Sequence, residues 1–411
     1  MTRRRLAVAG LVLLAGGLAP AGATPVGGSG CPLFPADNVW HADVTGLPVH
    51  VRSAAWLAAM GGPGRRLHPD FGPAGPGEQP YGIPYTVVDG SHAKVSVAFD
   101  YADESDPGPY PFGPDTPIES GSDRHAVMVD RDRCVLYELY AAHWDASRAS
   151  AGSGAVFDLR SNRLRPAGWT SADAAGLPVL AGLLRRDEVA AGQVDHALRV
   201  TASRTDRSFI WPARHQAGAA SDPNLPPMGA RFRLRGDFDL APYRADTRTV
   251  LRAMQRHGLI VADNGSDWFF TGTSEPGWDE AFLGELKGIP AGAFEAVDSS
   301  SLMADPDSGQ VRSGPPAPAT TKPPPAVART TTTARPAATT TSISPTTTTT
   351  APSATTTTGQ PATTTTALPE AATPGPALRS ARRGRPAILL GAFAVAALVA
   401  GVGVLLRRRR H

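Results

Sequence analysis

The chain has 411 residues, with 40 Lys+Arg against 37 Asp+Glu and a formal net charge of +3. Between Cys31 and Val297 the balance reverses to 25 basic and 33 acidic residues, which excludes the basic footprint of a nucleic-acid-binding domain. The basic excess sits at the two ends, and lysine is confined to Lys94, Lys287 and Lys322.

Arg3 to Arg5, the apolar run Leu6 to Leu18 and the small residues Ala21-Gly22-Ala23 have the order of a secretory signal peptide, residues 1–23. At the other end, the apolar run Ala387 to Leu406 lies between Arg382, Arg383 and Arg385 and the tail Arg407 to Arg410. Its length matches a bilayer core of roughly 30 Å, and the terminal arginines favour the cytoplasmic side. The expected location is therefore the cell membrane, crossed once at 387–406, with a cytoplasmic tail at 407–411 and the bulk outside. A cell-wall sorting signal is the rival reading, but Leu368-Pro369-Glu370 continues as Ala371-Ala372 rather than Thr-Gly. Residues 298–380 are rich in Thr, Pro, Ala and Ser and bury too little apolar surface to fold. They read as a disordered stalk, with a reach of roughly 250 Å at about 3.1 Å per residue.

Residues 31–297 remain as the extracellular domain. Cys31 and Cys134 are the two cysteines; outside the cell such a pair is expected to form one disulfide. Ser53 to Met60 is predicted as a short helix. Tyr85 to Val88 and Val95 to Tyr101 read as strands around Asp89-Gly90-Ser91. The stretch Asp123 to Asp145 reads as two strands joined by a charged turn. Ala155 to Leu159 is a further strand, and Thr170 to Ala175 a helical turn. Asp195 to Ser203 and Ser208 to Trp211 are expected to pair, and Ala230 to Arg235 adds another strand. Asp246 to His257 is the best helix, with Val250, Leu251 and Met254 as its stripe and Gly258 as its stop. Leu259 to Ala262 and Trp268 to Thr271 read as strands around the Asn264-Gly265 turn. Trp278 to Lys287 is a final helix. Many short strands and few helices predict a mainly β domain, a jelly-roll-like β-sandwich, with an α+β fold as the alternative.

Four constellations carry chemistry. His125 and His196 stand at strand starts and His215 just after a strand, where imidazoles serve in acid/base work or metal binding. Glu138 lies in an apolar strand, where a carboxylate is costly unless paired or exposed; with Asp130, Asp158 or Asp263 it would supply the two carboxylates of a glycosidase. Tyr140, Trp211 and Arg214, among other aromatics, suit sugar stacking and uronate pairing. The carboxylates Asp100, Asp103, Glu104, Asp106, Asp115 and Glu119 offer oxygen ligands for a structural Ca²⁺; no other cofactor is implied. No P-loop, Gly-x-Gly-x-x-Gly, His-Glu-x-x-His or Gly-x-Ser-x-Gly motif occurs, which argues against nucleotide enzymes, zincins and α/β-hydrolases.

The phrases Phe34-Pro35-Ala36-Asp37-Asn38-Val39-Trp40, Tyr101-Ala102-Asp103-Glu104-Ser105-Asp106-Pro107-Gly108-Pro109-Tyr110-Pro111 and Trp211-Pro212-Ala213-Arg214-His215 resemble a family of secreted proteins of soil bacteria and actinobacteria. The resemblance covers about 31–297 and brings no catalytic residue with it. Two functions are expected from the residues. One is a carbohydrate-active enzyme, a glycoside hydrolase or polysaccharide lyase, using His125, Glu138, His196 and His215 on substrate gripped by Tyr140, Trp211 and Arg214. The alternative is a non-catalytic surface module that binds glycan or mediates adhesion. In both, the partner is an extracellular or cell-wall polysaccharide.

Overall fold

The computed structural model describes residues 24–74, 80–145 and 148–312. Their strands are β1 (His68–Asp70), β2 (Tyr85–Val88), β3 (Val97–Phe99), β4 (Ala126–Asp130), β5 (Val135–Tyr140), β6 (His143–Asp145) and β7 (Arg148–Ala151). They continue as β8 (Ser153–Asp158), β9 (Leu198–Ala202), β10 (Arg231–Leu234), β11 (Leu259–Asn264), β12 (Phe269–Thr271) and β13 (Phe294–Val297). The helices are α1 (Ser53–Ala59), α2 (Val179–Gly182), α3 (Arg186–Ala191), α4 (Ala245–Arg256) and α5 (Glu280–Lys287).

The β4–β5 hairpin forms where the sequence places it, with Val127 opposite Glu138 and Ala126 opposite Leu139. Asp130 sets its turn: Oδ1 accepts the backbone N–H of Asp132 and of Arg133, an Asx-type local bond that competes with further strand. Two more strands extend the hairpin into the sheet β2-β4-β5-β8, in which β2 runs parallel to β4. A second sheet has the order β1-β12-β9-β11-β10-β13, and a third β3-β7-β6.

These sheets overturn the jelly-roll expectation. A jelly roll is a closed antiparallel pair of sheets, whereas β1/β12, β9/β11, β2/β4 and β3/β7 are parallel. Parallel neighbours need a long crossover; the chain from β9 to β11 supplies one that includes β10 and α4. The three sheets are neither closed nor curled into a barrel, and the fold is α+β.

Burial explains the helices and the central strands. Leu259 to Ala262 of β11 are all buried, so the strand shows a continuous apolar run rather than an alternation. On α4 the buried residues Thr247, Val250, Leu251 and Met254 share one side, flanked by buried Thr249 and Ala253. At about 25 cal/mol per Å² of apolar area, each of the larger ones contributes roughly 1.5–3 kcal/mol. Gly258 ends the helix at φ +75°, and a Cβ there would lie 2.4 Å from the Phe232 carbonyl oxygen; only glycine meets both demands.

Three local expectations differ. β11 and β12 do not form a hairpin at Asn264-Gly265; both pair with β9. Between them Trp268 is buried against Phe232 and Phe294, and its indole N–H donates to the Met60 carbonyl. Ser208 to Trp211 makes a single bridge, Phe209 to Met228, and no strand with β9. Thr170 to Ala175 is a turn whose Ser171 and Asp173 bond each other.

Cys31 and Cys134 form the expected disulfide, with their Cα atoms 5.4 Å apart. It bolts the start of the fold to the β4–β5 turn. The structured chain also runs past Val297: Gln310 bridges Asn38, and Val311 bridges Met303. Among the described residues no helix is long and apolar enough to cross a membrane; the runs at 1–23 and 387–406, and the part of the expected stalk beyond residue 312, lie outside the described residues.

Candidate functional site

A cavity of about 430 Å³ opens where the ends of β5, β8 and β11 meet the turn 170–174. That volume falls within the range of small-molecule sites, ~300–1,000 Å³. Its wall includes Tyr101, Tyr140, Glu104, Asp123, His215 and Asp263. Tyr101 is 54% exposed, and Tyr140 is half-buried. Burial, then Asp123, Tyr101 and Asp263, raise the Tyr140 phenol above its ordinary range, so its hydroxyl stays a neutral donor and acceptor.

Beneath the wall lies a buried charged network. Arg199 on β9 grips Asp173 with two bonds, Nε to Oδ2 at 2.9 Å and Nη2 to Oδ1 at 2.7 Å. Its Nη1 donates to Thr271 Oγ1 at 2.6 Å, and Nη2 stands 3.5 Å from Asp263 Oδ2. Burial opposes the guanidinium charge, but Asp173 and Asp263 more than reverse this, so its pKa is raised. A bidentate Arg–carboxylate pair is the geometry that holds a buried charge most firmly. Asp263 has no such partner. Burial, then the Asp173 charge, push its carboxyl up to about 7, against Arg199, His125 and the Asn264 N–H.

The residues singled out for catalysis divide sharply. His125 is buried behind the wall; Nδ1 lies 2.6 Å from Glu119 Oε2 and Nε2 3.1 Å from the Ala172 carbonyl. Burial opposes its protonation, but Glu119 outweighs this and raises its pKa, while the same pair lowers that of Glu119 against burial. Glu138 is fully buried and accepts the N–H of Val179 at 2.9 Å and of Leu180 at 2.8 Å, at the start of α2. Burial pushes it up to about 7, against those two bonds. His196 is buried elsewhere, with Nε2 3.1 Å from both Glu188 oxygens and Nδ1 2.8 Å from the Ala197 carbonyl. Of the four, His215 alone reaches the cavity; Nδ1 bonds the Ala174 carbonyl at 2.8 Å, and Nε2 lies 3.7 Å from Glu104.

The expected substrate-binding set also separates. Tyr140 lines the cavity. Trp211 instead donates its indole N–H to the Ser308 carbonyl, and Arg214 binds Asp307, the Pro306 carbonyl and the Arg165 carbonyl. Both therefore fasten residues 306–308 to the fold. The six loop carboxylates do not converge: Asp106 binds Arg165, Glu119 binds His125, Asp115 binds His92, and Glu104 accepts the Thr170 N–H. Among the described residues no group of three His, Cys, Asp or Glu side chains is placed to hold a metal ion.

The sequence does not mark Tyr101, Asp123 and Arg199 as one site, and it marks Asp263 only as a partner for Glu138. One signal was available: Arg199 sits inside the apolar run Ala197-Leu198-Arg199-Val200, where a charge demands a buried carboxylate. No family model, curated protein or solved structure matches the chain, so the site is read from its own residues.

Proposed function

We propose that the domain is a non-catalytic cell-surface module that binds glycan in the cavity beside Tyr101 and Tyr140. The apolar runs at 6–18 and 387–406 support export and anchoring at the membrane. The observation that carries the reading is the cavity wall. Two tyrosines offer faces for sugar C–H groups, and Glu104, Asp123 and Asp263 offer acceptors for hydroxyls, the mixture of apolar surface and few polar groups typical of ligand sites. Against an acid/base machine, His125, Glu138 and His196 are buried and satisfied within the chain. A hydrolase with Asp263 as its acid is the second reading, because that carboxyl keeps its proton near neutrality at the wall.

The test incubates the full-length chain, in mild detergent, with neutral, uronic-acid and amino polysaccharides. Retention, new reducing ends and unsaturated-sugar absorbance are followed together. Saturable retention without either product is expected, and Tyr101→Ala or Tyr140→Ala should weaken it by about tenfold, roughly 1.4 kcal/mol. Turnover abolished by Asp263→Asn would replace the module with the hydrolase. Retention indifferent to both tyrosines would move binding away from this cavity.

A further inference from the structure

We propose that this cavity selects sugars carrying a free, protonated amine over their N-acetylated or hydroxyl counterparts. The inference rests on the glycan-binding reading and names the ligand class of the same site.

The argument is one of unspent charge. Four carboxylates line the cavity: Glu104, Asp123, Asp173 and Asp263. Arg199 is committed to Asp173 through both oxygens. Glu104 has the Thr170 N–H at 3.0 Å and His215 at 3.7 Å. Asp123 is exposed, with Ser122 Oγ as its side-chain partner. Asp263 takes the N–H of Asn264, while Arg199 stands 3.5 Å from its other oxygen. Among the described residues Asp123 thus meets the ligand with no cation paired to it, and Asp263 with only a 3.5 Å share of the Arg199 guanidinium that Asp173 holds through both oxygens. A hydroxyl donates a neutral hydrogen bond to either; an ammonium adds the charge that the pair lacks, and charge-assisted bonds are about twice as strong.

The groups bearing on Asp263 come from every side. Asp173 reaches it from the 170–174 turn, Arg199 from β9, His125 from the residue before β4, and the Asn264 N–H from its own strand. Glu104, Asp123, Tyr140 and His215 share the cavity. Asp173 opposes its ionisation, and Arg199 and His125 favour it. An ammonium in the cavity would favour the carboxylate further, so amine binding expels the Asp263 proton. Preference for the amine should therefore grow as the pH rises through about 7, as long as the amine stays protonated.

The experiment compares a glucosamine tetrasaccharide with its fully N-acetylated form and a glucose tetrasaccharide. Binding to the full-length chain in detergent is measured by calorimetry at low ionic strength, at pH 5.5 and 7. The amine form should bind at least about tenfold tighter at pH 7, roughly 1.4 kcal/mol, with the margin narrowing at pH 5.5. Asp263→Asn should erase most of the preference while leaving the N-acetylated form bound. Asp123→Asn, at an exposed side chain where folding is not at stake, should erase part of it. Equal binding of all three sugars would overturn the amine inference and leave the glycan reading standing. A preference unchanged in both variants would overturn the assignment to these carboxylates, and no binding of any sugar would overturn both readings.

Discussion

Glu138→Gln gives the sharpest test of how the interior is charged. The folded state raises this carboxyl from 4.5 to about 7, so between those values the native protein holds a proton that the unfolded chain has lost. Its contribution is fully present below pH 4.5 and is lost as the pH rises through about 7. A shift of this size corresponds to about 3 kcal/mol, at about 1.4 per unit. Glutamine keeps one oxygen for the Val179 or Leu180 N–H but turns an amide NH₂ towards the other, at a cost of ~1–3 kcal/mol that is constant with pH. The variant should therefore be less stable than the parent in acid and gain on it by about 3 kcal/mol between pH 4.5 and 8. Asp263 and His257 titrate in both proteins and drop out of the comparison, while the His125 charge acts on Glu138 more weakly than burial does. Urea unfolding of the two chains at pH 4.5, 6, 7 and 8, read by tryptophan fluorescence, measures the difference. Stability curves that stay parallel across that range would refute the argument that burial governs Glu138.

Replacing Cys31 and Cys134 together by serine frees a loop spanning 103 residues; the chain-entropy model gives a loss of about 4.7 kcal/mol, seen as an earlier urea midpoint. Arg199→Met strands Asp173 in the interior, so a loss of about 3–5 kcal/mol is expected, with part recovered by adding Asp173→Asn; a double-mutant cycle reads the coupling. Gly229→Ala should unfold the protein or lower its melting temperature severely, because φ is +87° and a Cβ would lie 2.0 Å from the Ile210 carbonyl oxygen. Stopping the chain at Val297 removes the partners of Trp211 and Arg214 at Ser308, Pro306 and Asp307; limited proteolysis should then cut near residues 211–215 sooner than in the longer chain.

What was legible in the sequence was local. Alternation and a charged turn marked the β4–β5 hairpin, and a 3.6-residue stripe with a glycine stop marked α4. The disulfide followed from having two cysteines in a chain whose first residues read as a signal peptide. The layout was not legible, because parallel pairs such as β9/β11 join segments some sixty residues apart (Leu198 with Leu259), and no turn residue announces such a pairing. The same holds for the site. Tyr101 comes from a proline-rich loop, Tyr140 from a strand end and Asp263 from another, and tertiary packing alone brings them together. Glu138 shows how residue type misleads: its apolar neighbours marked a buried position, and the carboxylate there holds a helix start rather than facing a ligand.

The clasp between the two ends of the fold has a mechanical meaning. Any pull on the chain beyond Arg312 first loads the short bridges Val311 to Met303 and Gln310 to Asn38. From there it passes into a segment covalently fixed at Cys31 to the β4–β5 turn. One of the two cavity tyrosines, Tyr140, lies at the opposite end of that same hairpin. On the proposed reading, a ligand held at Tyr140 would be joined to that segment along β5 and through the disulfide, in parallel with the bonds of Trp211 and Arg214 to residues 306–308. Thiol reduction would leave that connection to hydrogen bonds and to the packing of Leu33, Phe34, Val39 and Trp40 in the core.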